Sequence, residues 1–244
     1  MKNLSQVNYN IERRKTMSEL YLRKFNKPDQ RPYTMIKDPI SSLTHFIGFV
    51  VSIILTPLLI SKAGLNNPDP LKLLGCSIYC LSLIMLYGAS SAYHSFILPY
   101  KAATRLKKFD HIAVFILIAG SYTPICLNLL NRKDGLIMLL TIWGLALLGI
   151  MMKAFYVYCP KYISSIIYIS LGWTAIFKIR VFYHALGNIG FGLLLGGGIM
   201  YTIGGIIYAL KISINKNWGE HELFHIFVLA GSLLHYLMMY FFVV

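Results

Sequence analysis

The sequence predicts an all-α membrane protein, a seven-transmembrane helix bundle with its N-terminus in the cytoplasm and its C-terminus outside. Three observations predict it. The 244 residues are 57% hydrophobic and only 13% charged, with a mean hydropathy of +0.61; soluble domains carry roughly twice that charge, about 25%. The apolar residues form continuous blocks of about 20, the length that crosses a hydrocarbon core. Lipid offers backbone N–H and C=O groups no partners, so a spanning segment is a helix or part of a closed barrel. Unbroken apolar runs, without period-2 alternation, select the helix.

The elements follow in order. Residues 1–39 form a basic cytoplasmic tail that includes Arg13, Arg14, Lys15, Arg23, Lys24 and Lys27 and ends at Asp38-Pro39. The tail has no apolar core of its own, so no signal peptide is read there. Seven apolar blocks then make up one domain, 40–244, at 40–61, 71–98, 109–130, 135–153, 162–180, 187–210 and 221–244. Turn signals separate them: Asn66-Asn67-Pro68-Asp69-Pro70, Pro99, Asn131 to Gly135, Cys159-Pro160, and Asn215 to Gly219. Between the fifth and sixth blocks, residues 181–186 read as a connection. The sixth block holds Gly192-x-x-x-Gly196 and Gly196-Gly197-Gly198. Small residues let spans approach closely, so these read as packing. No strand precedes them and the G-x-G-x-x-G spacing fails, which excludes a nucleotide site.

Orientation comes from counting. With the tail inside, the inner segments hold 17 Lys and Arg against 6 outside. Charge far from a span orients weakly, but dropping Lys2, Arg13, Arg14 and Lys15 still leaves 13 against 6. The net charge of +14 is therefore topology, with no folded groove for nucleic acid. Cys76, Cys80, Cys126 and Cys159 lie in or beside apolar segments without a C-x-x-C pair, and read as small buried hydrophobes with no disulfide framework.

Ionisable side chains within spans are expensive and mark function. His94 closes the second span, Asp110 opens the third, and His221 and His225 open the seventh. The topology puts all four near the inner leaflet, from three helices. Residues four apart lie about 40° apart around a helix, so His221 and His225 can face one ion. A third histidine, His94, completes a His₃ set that leaves a fourth zinc position open for water, as in catalytic sites. Asp110 is placed to hydrogen-bond that water, and Ser90 shares the helical face of His94. An H-x-x-x-H pair alone is as often packing as ligation; two further polar residues at the same depth favour a metal.

The string His221-Glu222-Leu223-Phe224-His225 also satisfies H-E-x-x-H, the zincin pattern in which the glutamate is general base. No second protease signature accompanies it. Glu222 reads instead as stabilising a helix N-terminus with Glu220. His235 lies about 21 Å deeper than His221, too far to share the ion, and reads as a hydrogen-bonded bundle residue. His45, entering the first span, is a pocket candidate. His111 neighbours Asp110 but points elsewhere on its helix, and His184 belongs to the outer side.

At these residues the sequence resembles the hemolysin III family, the bacterial branch of the progestin and adipoQ receptor (PAQR) family, grouped with alkaline ceramidases. The carriers are Asp38 to Gly48 (DPISSLTHFIG), Ser90 to His94 (SSAYH), Phe109-Asp110-His111, Gly120 to Pro124 (GSYTP), Gly172-Trp173 and His221 to His235 (HELFHIFVLAGSLLH). The resemblance implies seven helices with a cytoplasmic N-terminus. It also implies Zn²⁺ held at His94, His221 and His225, with Asp110 and Ser90 beside the bound water. Its superfamily chemistry is hydrolysis of a lipid amide or ester, with a membrane lipid as substrate in the plasma membrane. The alternative, carried by the family's name, is a pore-forming or receptor-like protein with structural zinc. Nothing in the sequence signals an oligomeric state.

Overall fold

The computed structural model describes residues 36–65, 69–215 and 218–244. Nearly all of the predicted tail lies outside them. Among the described residues the elements are α1 (Pro39–Leu65), α2 (Pro70–Ser95), α3 (Tyr100–Asn128), α4 (Arg132–Phe155), α5 (Lys161–Gly172), a 3₁₀ stretch (Trp173–Lys178), α6 (Ile179–Leu210), α7 (Glu220–Met238) and a π-helical turn (Met239–Val243). No strand occurs among them. Six helical stretches are long and apolar enough to cross a membrane: α1 to α4, Lys161–Leu210 and Glu220–Val243.

Two of the turn signals act as side-chain caps. Asp69 accepts a hydrogen bond from Leu71 N at 2.9 Å, with Pro70 opening α2, and Asn131 accepts from Asp134 N at 2.9 Å to open α4. Helix α3 starts at Tyr100 rather than near 109, carrying Lys101, Arg105, Lys107 and Lys108 on its first turns. The apolar block predicted only the apolar part of the helix.

One stretch departs from expectation. Residues 181–186 are helical, and 161–210 run on as 50 residues. The chain changes direction at Gly187, whose φ of 64° and ψ of −176° lie outside helical space. An L side chain is strained at such a positive φ, so a glycine is required there. The break that sequence signals placed in a loop is made by one residue.

Around the bundle each helix packs on its neighbour in the chain, and α7 returns against α1. The packing is inside-out relative to a soluble protein. Helix α1 buries Ser41, Ser42, His45, Gly48 and Ser52 while exposing Leu43, Phe46, Ile47, Ile54 and Leu58. Lipid solvates the large side chains as well as a neighbour would, so small and polar residues take the helix contacts. In α6 the close approaches to α7 and the turn after it are made by Gly190, Gly197 and Gly204, one heptad apart, and Gly205 meets Ile169 of α5, whereas Gly192 and Gly198 face open space. The packing reading holds for that helix, but of the glycines singled out in the sequence only Gly197 makes a close approach, with Gly196 in ordinary contact.

Candidate metal centre

One end of the bundle brings together the C-terminus of α2, the N-terminus of α7 and the N-terminus of α1. Backbone bonds from Lys37 N to Ser95 O (3.2 Å) and Asp38 N to His94 O (2.9 Å) tie the entry of α1 to the exit of α2. His94 and His225 are buried and His221 is half-buried. His221 Nε2 lies 2.8 Å from His94 Nε2 and 3.2 Å from His225 Nε2. One nitrogen from each of the three lies within 4.8 Å of the others. Two nitrogens on one tetrahedral zinc at 2.0–2.1 Å stand about 3.3 Å apart, so the cluster has the right scale.

The outer nitrogens explain why the inner ones converge. His94 Nδ1 meets Asp38 Oδ2 at 2.9 Å, and His225 Nδ1 meets the Ser41 carbonyl at 3.1 Å with Thr44 Oγ1 at 3.4 Å. An acceptor on Nδ1 holds the proton there and turns the Nε2 lone pair inward. Lone pairs facing one another without donors suit a cation, and the donor set fits zinc. Burial pushes the Asp38 carboxyl up, but the His94 hydrogen bond and the Lys37 charge outweigh it and leave it below the usual carboxylate range. Asp38 is thus an anion for His94 to lean on. Sequence reasoning missed this role, although an acid placed directly before Pro39 at the entry of a span was a usable signal.

Ser90 and Asp110 are buried and line the same cavity as His45, His221 and His225. The Ser90 hydroxyl is a hydrogen-bond partner of the Asp110 carboxyl. Asp110 stands outside the mutually bonding histidine set but faces the space in front of it. From the histidines the cavity runs inward through apolar walls such as Leu117, Val228 and Phe182 to His235. Its volume is about 170 Å³.

The remaining candidates sort themselves. Glu222 accepts from Gly219 N at 3.1 Å and from Ser41 Oγ at 2.8 Å, so its carboxylate caps α7 and braces α1. His235 Nε2 meets the Leu194 carbonyl at 3.1 Å, the bundle bond expected of it. His45 is a pocket residue, buried and stacked on His225. His111 lines the site cavity as well as a second one, contrary to the reading that it points away from the site. His184 lies in α6 before the Gly187 break, against Tyr183. Cys76, Cys80 and Cys126 are buried as expected; Cys159 is half-buried, with its sulfur 3.1 Å from Lys153 Nζ, and so is not simply a small hydrophobe.

Residues 33–236 match the family described as Haemolysin-III related. The chain belongs to the haemolysin III family. The Hemolysin-3 homolog of Bacillus subtilis (strain 168) is 36% identical over 200 residues, covering 82% of this chain and 91% of the relative. Hemolysin-3 of Bacillus cereus is 35% identical over 210 residues, covering 85% and 93%. The Adiponectin receptor protein of Drosophila melanogaster is 22% identical over 216 residues, covering 79% of this chain but 48% of that protein. A haemolysin III family member with six membrane-crossing helical stretches is an integral, multi-pass membrane protein.

Proposed function

We propose that this chain is a zinc-dependent hydrolase of a lipid amide or ester, crossing the plasma membrane seven times with its N-terminus inside. The observation that carries the reading is the turning of three Nε2 atoms toward one point at the head of an apolar cavity. The seventh span comes from Lys161–Leu210: 50 residues measure about 75 Å as a helix, more than twice a bilayer core, and the break at Gly187 divides them.

When bound at His94, His221 and His225, Zn²⁺ supplies Lewis acidity toward a carbonyl oxygen and lowers the pKa of water. The protein supplies the rest. Asp38 and the Ser41 carbonyl hold the two imidazoles in the ligating tautomer. Asp110, held by Ser90, accepts the proton of the attacking water at its carboxylate. The cavity takes the acyl chain; at about 170 Å³ it exceeds the roughly 150 Å³ of an apolar void that binds benzene. Glu222, occupied by Gly219 and Ser41, is not available as the base of an H-E-x-x-H protease.

The test is metal analysis and turnover of the purified protein on lipid amides and esters. About one zinc per chain is expected, with zinc and product formation both lost in His94→Ala and His225→Ala while helicity is retained. Undiminished hydrolysis by a metal-stripped preparation would end the proposal. A second reading, membrane lysis with structural zinc, is favoured by the name Hemolysin-3 of the two Bacillus relatives. It expects red-cell leakage that survives Asp110→Asn, without product.

A further inference from the structure

A second cavity opens at the same end of the bundle, beyond His111 and Tyr208, which line both. Its volume of about 340 Å³ falls within the roughly 300–1,000 Å³ of small-ligand sites. Four lysines from four helix ends line it: Lys107, Lys153, Lys161 and Lys211. Among the described residues no Asp or Glu lines it.

Lys153 is the residue that needs explaining. It is 0% exposed, and its ammonium meets Ser164 Oγ at 2.5 Å and Cys159 Sγ at 3.1 Å, not a carboxylate. Burying an ammonium without an anion is strongly unfavourable. The positive-inside rule accounts for lysines near the inner surface but not for burying one of them. Among the described residues the nearest acids do not line the cavity: Glu220 binds Lys161 Nζ at 2.7 Å, and Asp110, whose charge Lys107 feels, faces the metal-centre cavity. Partial burial pushes the Cys159 thiol up, but hydrogen bonds from Ser164 and Lys153 outweigh it and hold it below the ordinary thiol range. The Lys107 and Lys161 ammoniums stand over the rings of Tyr158 and Tyr208 at 4.3 Å and 4.6 Å. Aromatic faces position a cation without cancelling its charge.

We propose that this cavity binds a phosphate group, the chemistry shared by a phospholipid headgroup and free phosphate, with Lys107 and Lys211 as its cationic contacts and the buried Lys153 ammonium adding its charge from behind the wall. Lysines on separate helices can reach separate oxygens of a tetrahedral anion, each as a point charge. Basic pockets between helices at the cytoplasmic surface are where anionic headgroups are held. The site is separate from the metal centre and does not depend on hydrolysis.

The test uses the full chain in neutral-lipid nanodiscs. One arm titrates inorganic phosphate; the other measures retention of phosphatidic acid from phosphatidylcholine vesicles doped with it. Saturable binding in either arm is expected, the responding arm naming the source. Lys107→Gln with Lys211→Gln should weaken it about tenfold or more, whereas Lys101→Gln with Arg105→Gln, removing equal charge outside the cavity, should leave it within about twofold. Lys153→Met, which removes a charge behind the wall, should also weaken it; the double variant decides the matter should Lys153→Met fail to fold. No saturable binding in either arm, or equal weakening by the control pair, overturns the proposal.

Discussion

His45 lies flat on His225, with ring centroids 3.5 Å apart and planes within 6°. Neither nitrogen of His45 has a hydrogen-bond partner among the described residues, and the ring also meets Tyr87 edge-on at 5.0 Å. The residue therefore acts on the site as a plate that fixes the rotation of the His225 imidazole. His45→Ala should lower zinc affinity about tenfold, at the lower end of what residues behind the ligands contribute. His45→Phe keeps the plate and should keep most of the affinity. Competition against a calibrated chelator measures both, and equal losses in the two variants would show that the ring nitrogens matter instead.

Asp38 should matter to the metal more than to the fold. Its carboxylate is partly exposed, with a side-chain accessibility of 39%, yet it is the partner of His94 Nδ1. Asp38→Asn should reduce zinc affinity by about 10–100-fold. Thermal unfolding of the two metal-free proteins should be nearly superimposable. A large drop in metal-free stability would assign Asp38 to the fold.

The two kinds of glycine in α6 should respond oppositely. Gly187 has open space where a Cβ would go, but its φ is +64°, so Gly187→Ala should destabilise by about 1–3 kcal/mol through backbone strain alone. Gly192→Ala and Gly198→Ala, in regular helix facing open space, should be neutral or slightly stabilising. Gly197→Ala puts a Cβ 2.2 Å from the His235 ring and should be the most damaging of the four. Unfolding in detergent ranks them.

Cys159 should be the reactive thiol. Its acidity is raised by Ser164 and Lys153, which outweigh the effect of burial, so the pH midpoint of its alkylation should fall below 9.0. The thiolate reacts, so labelling rises with pH through that midpoint. Lys153→Met removes the ammonium and should move the midpoint upward. Cys76, Cys80 and Cys126 are buried and should label only after unfolding. Mass-spectrometric labelling across a pH series checks all four.

Sequence and structure part along one line. Apolar length and charge position are properties of a segment by itself, so the spans, the caps at Asp69 and Asn131, and the meeting of His94, His221 and His225 could be read from the chain. The failures share a cause. Which glycines of α6 touch α7, where 161–210 turns, and the retention of helix through 181–186 depend on rotation and register between helices. Apolar composition is nearly blind to these, since lipid and protein accept the same side chains.

What the sequence determined by itself was the membrane-embedded helical class and three imidazoles near one level of the bilayer, because burial of the backbone in lipid admits few alternatives. Only the tertiary structure decided which atoms meet: Asp38 behind His94, His45 flat on His225, Glu222 turned to the cap, and four lysines around one cavity. Apart from the Glu222 cap, those contacts depend on packing between helices: the histidine set on how α1, α2 and α7 meet, the lysine cavity on how the ends of α3 to α6 meet, which no single segment encodes.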